Sequence, residues 1–212
     1  MTSRRQFMLS TASFASAFAW LDPSHASAQG VSNLIELTGD VQVNGRRLTP
    51  DGVIQTGDRV RTGPASTCGF TVWRDAFLLR PNTELTLTRG PSLFIIGGAR
   101  LLTGAMASVF GRSERPRSVI SRTVTAGIRG TGFYVETRPD STYFCTCFGS
   151  IKLTSAAGDI ELIGSTRHVA PRISASPVAG KTIETAPFEN HEDAELDRLA
   201  LLVGQRSPWY RR

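Results

Sequence analysis

From Asn33 onward the apolar positions fall in short runs, many alternating with polar residues and nearly all bounded by Gly, Pro, Asn or Asp. Alternation at period two predicts strands with one buried face. By this criterion, or as short apolar runs bounded by Gly, Pro, Asn or Asp, Leu34–Thr38, Val41–Val43, Phe70–Trp73, Ala76–Leu79, Glu84–Thr88, Leu93–Ile96, Phe133–Glu136, Tyr143–Phe148, Ile151–Leu153 and Ile160–Ile163 read as strands. Shorter apolar pieces, Val53-Ile54, Val60, Val119-Ile120 and Val124, fit between them. Asn44-Gly45 marks a tight hairpin, because both residue types tolerate positive φ. Residues 105–118 lack this regularity and read as a charged surface excursion. Residues 169–189 hold Pro171, Pro177 and Pro187 among small residues, and read as an extended linker or a surface strand.

Only one segment changes period. In 190–204, Leu196, Leu199, Ala200 and Val203 fall on one face at helical spacing. Asn190 is a suitable N-cap, and Glu192, Asp193 and Glu195 sit where the helix dipole favours acids. Gly204 supplies a stop and Pro208 lies beyond it. The expectation is a C-terminal helix docked on the β body, followed by a tail at 205–212. Together with many short strands, this gives an all-β class with a single α-helix.

The first 28 residues have another pattern. Arg4-Arg5 precedes Phe7, a mildly apolar run from Met8 to Leu21, and the small-residue exit Ala26-Ser27-Ala28. Charged start, short apolar centre and small exit site describe an export signal cleaved after Ala28, and the paired arginines resemble the twin-arginine type. The apolar run is shorter than the roughly 20 residues that a membrane span needs. The expectation is a periplasmic protein with no transmembrane span in its mature chain.

Composition narrows the function classes. The formal charge is +6, and loss of Arg4, Arg5 and Asp22 with the signal leaves +5. Arginine supplies nearly all of it, since Lys152 and Lys181 are the only lysines. The arginines are scattered except for a loose cluster from Arg112 to Arg117, read as a solvated loop. An exported basic protein meets envelope components, not nucleic acid, so the partner is expected to be an envelope protein or a small ligand.

The segment Thr125 to Phe133 carries glycines at 127, 130 and 132. A dinucleotide loop needs G-x-G-x-x-G leading into a helix. Here the order is G-x-x-G-x-G, and it leads into Phe133-Tyr134-Val135-Glu136, a strand pattern. The segment therefore reads as a tight bend between strands, with Arg129 projecting from it toward a carboxylate or strand-end carbonyls. Gly-Asp at 39, 57 and 158 recurs as turn chemistry without a true sequence repeat, and its aspartates are expected to bond local backbone instead of calcium.

Gly127, Ile128, Arg129, Gly130, Thr131 and Phe133 resemble the G-[IV]-R-G-T-x-F signature of the FecR domain family. Further pieces agree in order: Gly39–Gly45, Ile54–Gly63, Leu79–Leu85 and Gly149–Leu153. The resemblance spans roughly 35–165, within a β domain set at 33–168, and implies a twisted solenoid-like or sandwich arrangement. It also implies an extracytoplasmic binding or signal-relay role; neither catalysis nor a cofactor is expected. Family members that control sigma factors carry a cytoplasmic segment and a membrane anchor. This chain starts instead with an export signal, so only the partner-binding half of that role is carried over.

Catalytic motifs are lacking: there is no G-x-S-x-G, no H-E-x-x-H and no recognisable carboxylate pair. An enzyme acting on envelope polysaccharide would need an acidic cleft. Three cysteines remain, Cys68, Cys145 and Cys147. On a strand, Cys145 and Cys147 share a face with Cβ atoms about 7 Å apart, too far for a relaxed disulfide. Cys68 pairing with one of them, fully buried thiols, redox chemistry, or a soft-metal site are the open alternatives. In the last, Cys145 and Cys147 would bind Cu(I) or zinc with Cys68 or His168. His191, near the helix start, reads as a capping or surface residue.

Overall fold

The computed structural model describes residues 31–211; the expected export signal, with Arg4, Arg5 and the expected exit after Ala28, lies outside the described residues. Among the described residues, fifteen strands precede a single helix. They are β1 (Leu34–Thr38), β2 (Val41–Val43), β3 (Arg46–Arg47), β4 (Arg59–Thr62), β5 (Thr67–Val72), β6 (Asp75–Leu79), β7 (Glu84–Ser92) and β8 (Ile95–Phe110). The second half holds β9 (Arg117–Ile120), β10 (Val124–Ile128), β11 (Gly132–Thr137), β12 (Ser141–Ser155), β13 (Ile160–Ser165), β14 (Pro171–Val178) and β15 (Lys181–Thr185), then α1 (Asp193–Leu202). No helix among the described residues is long and apolar enough to cross a membrane.

Two long strands organise the rest. The first part of β8 pairs with β7, and its last residues, 104–110, pair with β6 and β11. Likewise β12 pairs with β11 and β14 through its first half, and with β10 and β13 through its second. Each strand thus leaves one sheet and joins the other, as corners of β sandwiches require. The inner sheet runs β3-β2-β4-β7-β8-β9-β10-β12-β13, with β8 and β9 its one parallel pair; the outer runs β1-β5-β6-β8-β11-β12-β14-β15. The bend in β12 falls at Gly149, which has φ +92°. A Cβ there would lie 2.6 Å from the Gly130 carbonyl oxygen, so both conformation and space demand glycine.

Alternate residues of both sheets fill one core. Along the outer sheet five phenylalanines form a row, one from each neighbouring strand: Phe70 on β5, Phe77 on β6, Phe110 on β8, Phe133 on β11 and Phe144 on β12. Successive ring centroids lie 4.9, 5.5, 5.5 and 5.2 Å apart. The opposite face of the outer sheet carries a second apolar cluster. There Leu196, Leu199 and Ala200 of α1 cover Ala76, Leu78, Ala107, Tyr134, Cys145 and Cys147. The arrangement is therefore a sandwich plus one covering helix. One guanidinium nitrogen of Arg80 donates to both carboxylate oxygens of Glu195, at 2.6 and 2.7 Å, and Arg198 donates to Glu36 at 3.0 Å, tying α1 to the sheet.

Several expectations change. Residues 105–110 are the buried end of β8, and only 111–116 form an excursion. Small residues Ala105, Ala107 and Ser108 masked the alternation there. Leu93 and Phe94 are an exposed turn between β7 and β8, not strand. Of the two alternatives for 169–189 the surface strand holds and the linker does not: 171–185 are the hairpin β14–β15 at the edge of the outer sheet, where Pro177 meets no ladder partner. The helix N-cap is Glu192, closing a capping box with Glu195, while Asn190 has φ +65° and donates to Glu136.

Candidate functional site

The glycine segment crosses between the sheets. β10 belongs to the inner sheet, β11 to the outer, and they do not pair. Arg129-Gly130-Thr131 makes the passage, with Gly130 at φ +65°. Thr131 is fully buried, its hydroxyl donates to the Ser150 carbonyl at 2.9 Å, and its carbonyl accepts from the Phe110 amide at 3.0 Å. Ile128 and Phe133 point into the inter-sheet core, and Gly127 sits at an ordinary strand position. The bend runs into a strand instead of a helix, so these amides do not form a phosphate cradle.

Arg129 is the outward element of that bend. It is exposed, and its guanidinium has no hydrogen-bonding or ionic partner among the described residues. It stands between two open grooves. One, of about 540 Å³, is walled by Arg129, Lys152, Ile128, Ile151 and Leu162. The other, of about 780 Å³, is lined by Arg74, Arg112, Glu114, Arg129 and Ser150. Trp73 stands beside Arg74 in the β5–β6 turn, 59% exposed and at φ +53°, an outlier conformation for so bulky a residue. The loop bearing Arg112 is anchored at its base. Arg117 makes two 2.8 Å bonds to Asp75 and also donates to the Gly111 carbonyl, while the Gly111 amide donates to Asp75 at 2.9 Å. Burial pushes the Asp75 carboxyl up, against the pull of Arg117 and that amide.

A second constellation lies under α1. Cys145 and Cys147, both fully buried on β12, point to the helix side of the outer sheet with sulfurs 4.0 Å apart. His168, in the connection from β13 to β14, places Nδ1 3.6 Å from Cys145 Sγ. His191, two residues ahead of α1, places Nε2 3.3 Å from Cys147 Sγ. The four ligand atoms all lie within 4.8 Å of one another. Each imidazole is held from behind. His191 Nδ1 meets the Glu189 carbonyl at 2.8 Å, and His168 Nε2 meets Asp193 Oδ1 at 2.5 Å. Arg167 in turn donates to Asp193 at 2.7 Å. Tyr134 stacks on His191, and Phe188 and Trp209 close over His168. A hydrogen bond from Cys147, opposed by burial and aided by His191 and His168, draws the Cys145 thiol down to about 5. Burial and that neighbouring thiolate hold Cys147 well above its usual range.

Cys68 is elsewhere. It lies on β5 in the inter-sheet core, free and pushed up to about 12 by burial and by Glu36. A bridge from it to Cys145 or Cys147 is not formed; all three thiols are free, and the outer sheet separates them. The structure therefore joins Cys145, Cys147 and His168, leaves Cys68 out, and adds His191, which the sequence alone marks only as a capping or surface residue. His25 lies before the described residues, so both described histidines converge on the thiol pair.

No family model matches the chain, and no curated protein matches it. Among solved structures it is similar to two crystal structures of a protein from Parabacteroides distasonis ATCC 8503, provisionally described as an anti-sigma factor, at 1.65 and 2.50 Å resolution. Identity is 14% and the TM-score 0.49 in each, over 68% and 70% of this chain. The chain covers 64% and 65% of the length of those proteins, just under two thirds.

Proposed function

We propose that the protein is an extracytoplasmic, non-catalytic binding or signal-relay module, resembling the FecR domain, that engages an acidic protein partner of the cell envelope. The observation that carries this reading is Arg129: the outward side chain of the signature bend, free of any internal partner among the described residues, between two grooves that add Arg74, Arg112 and Lys152. Trp73 adjoins them, and Trp with Arg are the residue types that dominate binding energy at interfaces. A bend held from within by Thr131 and Gly130 presents that arginine from a rigid base, which lowers the ordering cost of association.

A photo-cross-linking residue at position 129, with a control at exposed Asp51, tests the reading in intact exporting cells. The expected result is a discrete envelope-protein adduct at 129, absent at 51, and weakened in an Arg74→Glu, Arg112→Glu background. Equal labelling at both positions, or an adduct indifferent to those charge reversals, refutes it.

A further inference from the structure

We propose that Cys145, Cys147, His168 and His191 form a closed tetrahedral site for one zinc ion, and that the ion fastens the C-terminal segment to the outer sheet. The inference is independent of the relay reading. Zinc bound by two thiolates at about 2.3 Å and two imidazoles at about 2.0–2.1 Å sets S–S edges of about 3.8 Å and S–N edges of about 3.5 Å. Three of the six present separations, 4.0 Å between sulfurs and 3.6 and 3.3 Å from sulfur to nitrogen, already lie within a few tenths of those edges, and all four ligand atoms lie within 4.8 Å of one another.

The groups behind the imidazoles point the same way. A ring nitrogen facing a carbonyl or carboxylate carries its proton there, which leaves the opposite lone pair free. At His191 the Glu189 carbonyl claims Nδ1, and at His168 the Asp193 carboxylate claims Nε2. The two remaining lone pairs both aim at the sulfurs. His168 itself holds φ +48°, an uncommon backbone conformation for a non-glycine residue.

Charge and access select the metal class. Two thiolates neutralise a divalent ion, so the filled site carries no net charge in its apolar surroundings, whereas Cu(I) would leave one negative charge buried. Four protein ligands without an open position describe a structural site, not a catalytic one. Filling it displaces to solvent any proton that the two sulfurs still hold. The ligands come from three separate segments: β12, the β13–β14 connection and the lead-in to α1. Coordination therefore closes the segment 188–203 onto the sheet, with His191 as the clasp.

The purified full chain, stripped with chelator under reductant and then titrated with zinc or cobalt, gives the test. One ion per chain is expected, with a tetrahedral cobalt spectrum bearing thiolate charge-transfer bands. Slower amide exchange across α1 in the filled protein is expected too. Cys68→Ser should leave all of this unchanged. Asp193→Asn, which loosens His168 only from behind, should weaken zinc by roughly 10–100-fold. His191→Cys should keep tetrahedral cobalt with stronger charge transfer, a readout that survives if His191→Ala fails to fold. Absence of stoichiometric binding, an octahedral spectrum, binding that persists in Cys145→Ser, Cys147→Ser, or α1 exchange indifferent to the ion overturns the proposal.

Discussion

Glu136, on β11, shows how one side chain couples the helix lead-in to the sheet. It accepts from Arg138 at 2.9 Å, from Asn190 at 2.8 Å and from the Tyr134 hydroxyl at 3.3 Å. Burial raises its carboxyl, but the bonds from Arg138, Asn190 and Tyr134 together outweigh that and hold it below the ordinary range. A carboxyl depressed in the folded state contributes stability that is complete above its unfolded value, about 4.3, and lost as pH falls through the folded one. Glu136→Gln removes that ionisation. Urea midpoints measured from neutral pH downward should fall less steeply in the variant than in the parent, and parallel curves would refute the assignment. Little of this was visible in the sequence, because Asn190 lies 54 positions from Glu136. The thiol pair was half visible: a strand period puts Cys145 and Cys147 on one face, but no local pattern brings His191 to them across 44 residues. Arg117 shows the same limit, since within a charged run only its inward phase on β9 separates a buried ion pair from a solvated loop.

At the scale of elements, the row of phenylalanines is the seam along which the outer sheet meets the inner. Each ring comes from a different strand, and stacked or edge-to-face pairs add about 0.5–1.5 kcal/mol beyond their area. Phe133 stands between Phe110 and Phe144, so it loses two such contacts when truncated. Phe133→Ala should cost about 3–5 kcal/mol, read as a lowered denaturant midpoint. A loss below about 1 kcal/mol would show that the row is not a joint structural unit. Strand positions were legible because alternation survives at β4 and in the first half of β7, while β6 and β11, buried on both faces, stand out as short apolar runs. What the alternation could not disclose is that β8 and β12 each serve two sheets. A glycine at a bend looks, in sequence, like the end of a strand, so β12 divides on paper at Gly149 although its ladder continues on both sides. Small residues had the opposite effect in β8, hiding a buried strand end as irregular chain.

For the whole molecule, the decisive feature is that the outer sheet is buried on both faces by different partners. One face meets the inner sheet through a large continuous core, and the other meets α1, its lead-in, the tail and the β13–β14 connection. The second interface is smaller and rests on a ten-residue helix, whose isolated stability is marginal at that length. Unequal cores favour sub-global opening, in which the weaker layer detaches while the sandwich remains. Leu196 is fully buried in the weaker layer, and its truncation to alanine removes about 2–5 kcal/mol by the usual cost of such cavities. The loss should fall on one layer alone. Amide exchange in Leu196→Ala should accelerate across α1, while β6, β11 and the phenylalanine row keep their protection. Uniform acceleration throughout would mean that both cores unfold as one unit, and the helix would then be an integral part of the sandwich instead of a separable cover. The distinction bears on the proposed relay role: a cover that opens independently exposes Tyr134, Cys145 and Cys147 without unfolding the body that carries Arg129.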